Sequence, residues 1–338
     1  MLATGLRSPL LRWLGSRTTL AVPPGWRAAA FTHDARQPPP PSPPRAAQEG
    51  EDAERAATLP MEQLAKALLA GNARAQLTTV AAGVTAADDS KVSSSVVSYC
   101  SPRGEAPLVF LTKQDGQHLA NITESPKASL ATGHVSPPWF VQQLRSTGWL
   151  PRRVALLGDL QPLPPAEVKF ELDQARKACK SAPGLASLLP AEEQRSELLA
   201  FRLTSIKQCV YVDATGRQHA VDSEDLHGSI VDPLALPQHD LLAAVNRSPQ
   251  WRQQLQLFAA AYLGVSCSAV LLSEADRLGF SLLGAPLEAA TSADGEVPQQ
   301  AQRWRQFRVG SSRELKNAEA FMSLLEQMKQ EVHAAAAQ

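Results

Sequence analysis

The stretch 111–130, LTKQDGQHLANITESPKASL, joins two short apolar runs through a polar segment. The run before the polar segment, Leu108–Thr112, is rich in aliphatic and aromatic residues. The run after it, Ala128–Thr132, is also mainly apolar. Short runs of this kind that are bounded by polar, turn-forming residues are typical of strands. The stretch therefore predicts two strands with a polar connection between them.

The polar connection, Asp115–Glu124, has residues that suit one short helix. Helical spacing places Leu119 and Ile122 on one side of this helix, and His118 and Asn121 on or near the other. A strand, a short helix and a returning strand would hold polar side chains at a fixed rim. We expect a functional site of this chain at that rim.

Composition excludes some classes of function. The chain has 338 residues, of which 44% are hydrophobic, so it can bury one large core or two ordinary ones. Its formal net charge is zero. This balance gives no support to sequence-independent phosphate binding, and we expect no nucleic-acid partner.

The four cysteines, Cys100, Cys179, Cys209 and Cys267, are far apart and have no zinc-ligand spacing, so we expect reduced, buried thiols. Residues Gln253–Ser273 carry no formal charge, which would permit a membrane span by length. Gly264 interrupts this segment where a helix would end. A buried helix followed by a buried strand is the prediction, with no membrane span.

The N-terminal segment has the pattern of an import presequence. Up to Asp34 it has arginines but no acidic residue, and leucines recur at helical spacing. The run PPPPSPP at Pro38–Pro44 then indicates an extended linker. We assign 1–57 to the presequence and disordered linker. Arginine richness suits a chloroplast or a mitochondrion.

The remaining chain divides at a polar, loop-like stretch. About six strands with short helices between them are predicted over 58–216, including a helix at Pro190–Leu199, which favours a barrel. We interpret 217–239 as a connecting loop and 240–338 as a small C-terminal α+β domain. That domain is interrupted by an insert at Pro286–Gln302, and its last helix is predicted to start at Ser312 as the cap.

Common catalytic motifs are missing from the sequence: it has no GxGxxG, no P-loop, no GxSxG elbow and no HExxH. Their absence argues against the commonest nucleotide-dependent enzymes and hydrolases. The segment around His118 is the feature that remains.

That segment resembles a known family. Residues Gly116–Leu130, GQHLANI followed by ESPKASL, are similar to the conserved segment of pyridoxamine-phosphate-oxidase-like, FMN-binding split barrels. The similarity is greatest to the haem-utilisation (HugZ-type) branch and its plant relatives of the glutamyl-tRNA reductase-binding type. Four further segments match in order: Leu64–Val80, Arg153–Gly158 (RVALLG), Asp232–Ala235 (DPLA) and Glu274–Phe280 (EADRLGF).

The resemblance implies a fold: an α+β protein with a six-stranded antiparallel split β-barrel, short helices and a small C-terminal α+β domain. Two segments depart from the family. Val245–Trp251 lacks the two histidines that the family has there, and Val212–Gly216 reads VDATG where the family often has VGGFG. Such losses favour a relative that binds a ligand with little or no catalysis.

The resemblance also implies two alternative cofactors. Haem is the first, with His333, near the C-terminus, as the iron ligand. FMN is the second, with phosphate contacts from Thr112 and Lys113 directly after a strand, although the Arg-plus-Lys strand of flavin sites is not visible. The implied cofactor-binding residues are Thr112, Lys113, His118, Asn121, Ser129 and His333.

Three functions stay open on the sequence alone. The first is a haem-binding protein that is linked to tetrapyrrole metabolism through an enzyme partner. The second is an FMN-dependent oxidoreductase, and the third is a scaffold without a cofactor. For His118, a purely structural hydrogen bond is an equal alternative to cofactor contact. Split barrels of this type place ligands at a two-fold interface, so the resemblance implies a homodimer. Its plant members favour the chloroplast over the mitochondrion.

Overall fold

Seven strands form the larger of two sheets in the computed structural model of this chain. They are β1 (Arg74–Val80), β2 (Val92–Cys100), β3 (Leu108–Leu111), β4 (Lys127–Gly133), β5 (Arg153–Pro162), β6 (Leu199–Val212) and β7 (Gln218–Val221). The order is β3-β2-β1-β4-β5-β6-β7, and β3 also pairs with β6. All pairings are antiparallel. The extra pairing closes β1 to β6 into a six-stranded barrel, which confirms the predicted fold class.

The structure describes residues 58–81, 92–102, 104, 106–133, 140, 142, 147, 149–192, 197–287 and 304–336. The predicted presequence and linker (1–57) and most of the predicted insert lie outside these residues. The division at 217–239 into two domains stays a prediction.

Alternation of side chains fixes which strand residues face the barrel interior. In β1, Ala75, Leu77 and Thr79 are buried, whereas the residues between them are partly or fully exposed. In β2, Val97 and Tyr99 are buried in the same way. A shift of the pairing by one residue would turn every buried side chain outward, so the alternation specifies the register.

Helices close the ends and cover one side of the barrel. Helix α1 (Met61–Ala70) contributes Ala65, Leu68 and Leu69 to the barrel core. Helix α2 (Gly116–Glu124) connects β3 to β4. Helices α3 (Pro165–Ala178) and α4 (Pro183–Ala186) follow β5, and apolar side chains of both pack with residues of β3 and β6 in a second core.

The C-terminal part has its own sheet and core. After helix α5 (Ser223–Gly228) come α6 (Gln238–Arg247), α7 (Pro249–Leu263), β8 (Cys267–Asp276), β9 (Gly279–Pro286), β10 (Arg305–Gly310) and α8 (Ala318–Ala336). The three strands form an antiparallel sheet in the order β10-β9-β8. Its core combines sheet residues with apolar residues of α6, α7 and α8. This confirms a C-terminal α+β region.

Three local predictions were wrong. The stretch interpreted as a loop, 217–239, contains β7 and α5, because a short hairpin and a capped helix can form from polar residues. The helix predicted at Pro190–Leu199 was wrong at its C-terminal end, because Leu199 already begins β6, and residues 193–196 lie outside the described part of the chain. The last helix begins at Ala318 and not at Ser312, and the Asn317 side chain accepts a hydrogen bond from the Ala320 backbone N–H at its start.

Two segments that carried the family resemblance contact each other. Asp232, which is 2% exposed, accepts a hydrogen bond at Oδ2 from the Arg277 backbone N–H (2.9 Å). The Arg277 guanidinium donates to Gln63 Oε1 of helix α1 at 2.7 Å. Burial raises the pKa of Asp232 to about 6, although the bond from Arg277 opposes this shift. These contacts link the start of the barrel to the turn between β8 and β9.

One further prediction is confirmed by the described residues. All four cysteines are free and buried. In the described part of the chain, no helix combines the length and the apolar character that a membrane crossing requires.

We predict that Gly279→Ala destabilises the protein by about 2–3 kcal/mol, because Gly279 has φ of +145° and an added Cβ would collide with the Val309 carbonyl oxygen. Urea unfolding checks this value. Gly116→Ala is the matched control, since an added Cβ there meets open space, and its expected effect is a gain of up to about 1 kcal/mol. Equal effects of the two substitutions would contradict the argument.

Candidate functional site

The helix that connects β3 to β4 begins with a well-defined turn. Thr112 follows β3, and its hydroxyl accepts a hydrogen bond from the Gln114 backbone N–H. In return, the Asp115 carboxylate accepts a bond from the Thr112 backbone N–H at 2.7 Å. This reciprocal capping box fixes the angle at which α2 leaves the strand. Thr112 therefore has a local structural role at this turn.

His118 lies inside the protein and not on an exposed rim. Its side chain is 2% exposed. Ring nitrogen Nδ1 lies 2.9 Å from Thr79 Oγ1 of β1, and Nε2 lies 2.8 Å from Ser95 Oγ of β2. Both ring nitrogens are therefore engaged by hydroxyl groups of the barrel wall. His118 fastens α2 to two neighbouring strands.

These hydrogen bonds favour one protonation state of His118. The Asn121 amide nitrogen donates to Thr79 Oγ1, so the Thr79 hydroxyl hydrogen is best directed at His118 Nδ1. Nε2 then carries the ring proton and donates to Ser95. Burial lowers the pKa of His118, and the nearby Asp115 carboxylate only partly opposes this shift. The neutral imidazole is the form that the site holds at neutral pH.

Asn121 completes the attachment of the helix. It is 1% exposed, and its amide nitrogen also donates to the Thr79 backbone carbonyl at 3.2 Å. The side chain of Gln117 donates to Asn121 Oδ1 at 2.9 Å. Thr79, which the sequence did not single out, is thus the centre of this network, where His118 and Asn121 meet.

The other residues implied by the resemblance lie elsewhere. Lys113 is exposed in the turn before α2. Ser129 lies on β4, where it pairs with Thr78 of β1 and with Leu157 of β5. His333 is exposed near the end of α8. The structure therefore brings together His118 and Asn121 but not the complete predicted set.

Ser129 belongs to a surface that we name the outer face. It consists of outward-facing residues of four adjacent strands: Gln76, Thr78, Ser94, Val96, Ser129, Ala131, Ala155 and Leu157. Val96 is 63% exposed and Leu157 is 40% exposed. The Thr78 and Ser94 hydroxyls are hydrogen-bonded to each other at 2.8 Å. The outer face has no formal charge, and several of its polar groups are already paired.

Two arginines lie at one end of the outer face. Arg153 pairs with Gly133 across β4 and β5. The register of β1 with β4, in which Gln76 pairs with Ala131, places Arg74 opposite the same Gly133. Both arginines are exposed, and neither has a carboxylate partner among the described residues. This row of two guanidinium groups is a candidate binding site for an anionic group.

Sequence reasoning missed Thr79, Ser95, Arg74 and Arg153. The alternation within β1 predicts that Arg74 and Gln76 share a face. Nothing in the sequence predicts that Arg153 lies in the same row, because that depends on the pairing of β4 with both β1 and β5. Among the described residues, no group of three or more His, Cys, Asp and Glu side chains forms a metal site.

Comparison with known proteins gives similarity to solved structures only. No family model matches the sequence, and neither does any curated protein. A haem-binding protein from Mycobacterium smegmatis has 17% identity and a TM-score of 0.49, over 82% of this chain and 99% of that one. HutZ, a haem storage protein from Vibrio cholerae, has 14% identity and a TM-score of 0.30, over 45% of this chain and 94% of that one.

A protein of unknown function from Agrobacterium tumefaciens has 15% identity and a TM-score of 0.35, over 81% of this chain and 97% of that one. Identities this low concern the fold and not the chemistry of a site. The chain has the fold of a closed six-stranded antiparallel barrel. Its own strand order, with β3 paired to β6, carries that statement.

We predict that the free energy of unfolding falls as the pH drops below the ordinary histidine pKa of 6.5, and that His118 contributes to this fall. The folded state lowers the pKa of His118, so the unfolded state binds more protons in this window. His118→Gln should flatten the pH dependence when urea unfolding is measured between pH 7 and 5.

His227→Gln is the matched control, because His227 is exposed and its ring has no hydrogen bond among the described residues. This variant should keep the full pH dependence. If His118→Gln and the unmodified chain had parallel profiles, His118 would not be the buried neutral group that the geometry indicates.

Proposed function

We propose that this chain is a haem-binding protein that acts as a homodimer, with little or no catalytic activity of its own. The observation that supports this proposal best is the outer face, an uncharged surface with two arginines at one end. A porphyrin is a flat apolar ring with two carboxylates on one edge. The exposed apolar residues of the outer face and the two guanidinium groups at its end match that chemistry.

The apolar residues of the outer face and the two arginines at its end each have a counterpart on the porphyrin. Val96 and Leu157 offer apolar contact to the ring. Arg74 and Arg153 offer guanidinium groups to the two propionates, and guanidinium binds carboxylates in a two-pronged geometry. Since both arginines lack a carboxylate partner in the described part of the chain, no existing ion pair has to break when haem binds.

We propose His333 as the iron ligand. A neutral imidazole with a free nitrogen can ligate haem iron. His333 is exposed near the end of α8, whereas both ring nitrogens of His118 are hydrogen-bonded within the barrel. In the dimer, His333 of one protomer would reach the haem held on the outer face of the other. His118 then acts by holding α2 in place.

The homodimer proposal rests on the exposure of apolar residues on the outer face. Val96 and Leu157 lie on a continuous sheet surface, and burying it against a second copy removes apolar area from water. A two-fold axis would bring the same rows of both copies together.

The proposed location and partner are supported by the sequence and its resemblance. We propose a chloroplast protein, with the mitochondrion as the alternative, that contacts an enzyme of tetrapyrrole synthesis. The acid-free, arginine-containing N-terminal segment supports organelle import. Import of the radiolabelled chain into isolated chloroplasts and mitochondria tests the location, and uptake by neither would refute it.

We predict that haem added to the purified chain gives a shifted Soret band, and that His333→Ala changes this band. His227→Ala, which alters another exposed histidine, should leave it unchanged. His118→Ala should lower stability by about 2–4 kcal/mol, since it leaves buried hydroxyls unpaired, yet a folded variant should still show the band of the unmodified chain. An absorption titration measures each case.

Changing both Arg74 and Arg153 to alanine should weaken haem binding by about tenfold or more, through loss of charge-assisted hydrogen bonds. Arg313→Ala, at another exposed arginine, is the control. Absence of any change in the absorption spectrum when haem is added would refute the proposal. A yellow preparation that carries FMN and loses it on Lys113→Ala would support the flavin-dependent alternative.

We predict that Val96→Glu converts the dimer to a monomer, because it places two like charges in an apolar interface. Light scattering after size exclusion should then give the mass of one 36.3 kDa chain in place of two. Ile230→Glu is the control, since Ile230 is 59% exposed but lies outside the outer face. A monomeric unmodified chain would contradict the dimer proposal.

A further inference from the structure

A cavity lies between α3 and the end of the β2–β3 hairpin, and no residue of the outer face lines it. Its volume is about 100 Å³. Nine residues line it, three of them polar (Ser101, Glu171 and Gln174) and six apolar, among them Cys100, Leu108, Phe170 and Ala175. The cavity borders the second core, in which Val168, Leu172 and Ala175 of α3 are buried.

The walls of this cavity are mostly apolar. Leu108 is 6% exposed and Ala175 is 1% exposed, so both belong to the second core. The Cys100 side chain beside them is also buried, and burial raises the pKa of its thiol to about 12. Cys100 is therefore a neutral wall of the cavity. These residues offer an apolar floor to a small ligand.

Two side chains of α3 at the cavity, Phe170 and Glu171, have groups that can contact a cation. Phe170 is 61% exposed, although it is a large aromatic side chain, so its ring is free to contact a ligand. The Glu171 side chain is 23% exposed, and Arg202 donates to its Oε1 at 2.8 Å. Among the described residues, no donor contacts Oε2. A free carboxylate oxygen and an aromatic face both attract a cation.

We propose that this cavity binds a small organic cation, with an ammonium group at Glu171 Oε2 and Phe170 and a short hydrocarbon or aromatic group on the apolar floor. An engineered apolar cavity of comparable size, about 150 Å³, accepts a benzene ring. The proposal does not depend on haem binding, because no residue of the outer face lines the cavity.

Benzylamine and benzyl alcohol are suitable probes, because they share a ring and a length and differ in charge. Ligand-observed NMR with the full-length chain should show benzylamine binding about tenfold more tightly than benzyl alcohol, as a charge-assisted hydrogen bond predicts. Glu171→Gln should abolish this preference, since it removes the charge and keeps the shape. Glu167→Gln, on the exposed side of the same helix, should preserve it.

Phe170→Ala gives a second, independent test, because an exposed side chain can be removed without loss of the fold. It should weaken benzylamine binding by about threefold through loss of the cation–π contact. Thermal unfolding of each variant verifies that it is folded. Absence of benzylamine binding, or a preference for it that persists in Glu171→Gln, would overturn the proposal.

Discussion

Closure of the barrel is the constraint on which the rest of this structure depends. Pairing of β3 with β6 leaves the first six strands without a free edge, so each has one face inside and one outside. Any polar side chain on an inner face must find a hydrogen-bond partner there. Thr79 and Ser95 are such residues, and α2 supplies their partner, His118.

That requirement distinguishes polar side chains that stabilise the fold from polar side chains that are free to bind a ligand. His118 and Asn121 of α2, which the sequence suggested as ligand-binding residues, form hydrogen bonds with buried hydroxyl groups instead. A ligand that bound His118 would remove its hydrogen bond to Thr79 or Ser95. Outward-facing polar residues do not need a hydrogen-bond partner within the protein, because water can bond to them. A site on the outer face therefore costs the fold little, and for that reason we place the haem proposal there and not at the helix.

Much of the fold could be predicted from the sequence, because local patterns determine it. The two apolar runs beside the polar segment located β3 and β4. The uncharged stretch with Gly264 was correctly interpreted as a helix that ends there, since Gly264 adopts a φ of +65°. The start of the last helix was missed because Ser312 and Asn317 are both good caps. Only the packing of the residues between them decides which is used.

The candidate site was less predictable, since it depends on contacts between distant segments. Helical spacing set His118 and Asn121 apart from Ile122, yet all three are buried, because the end of a barrel surrounds more of a short helix than one flat surface does. The row formed by Arg74 and Arg153 needs the registers of two strand pairs at once. Neither arrangement can be recognised from the sequence pattern of a single segment of the chain.

The arrangement of the outer face also explains how one surface can serve both a dimer and a ligand. Gln76, Thr78 and Ser94 already bond to one another, so their burial against a second copy breaks few bonds to water. Burial of Arg74 and Arg153 would cost more free energy, because their guanidinium groups have no carboxylate partner among the described residues and would lose their hydration. Both arginines therefore belong at the solvent-exposed edge of the proposed interface, where the carboxylates of a ligand would reach them.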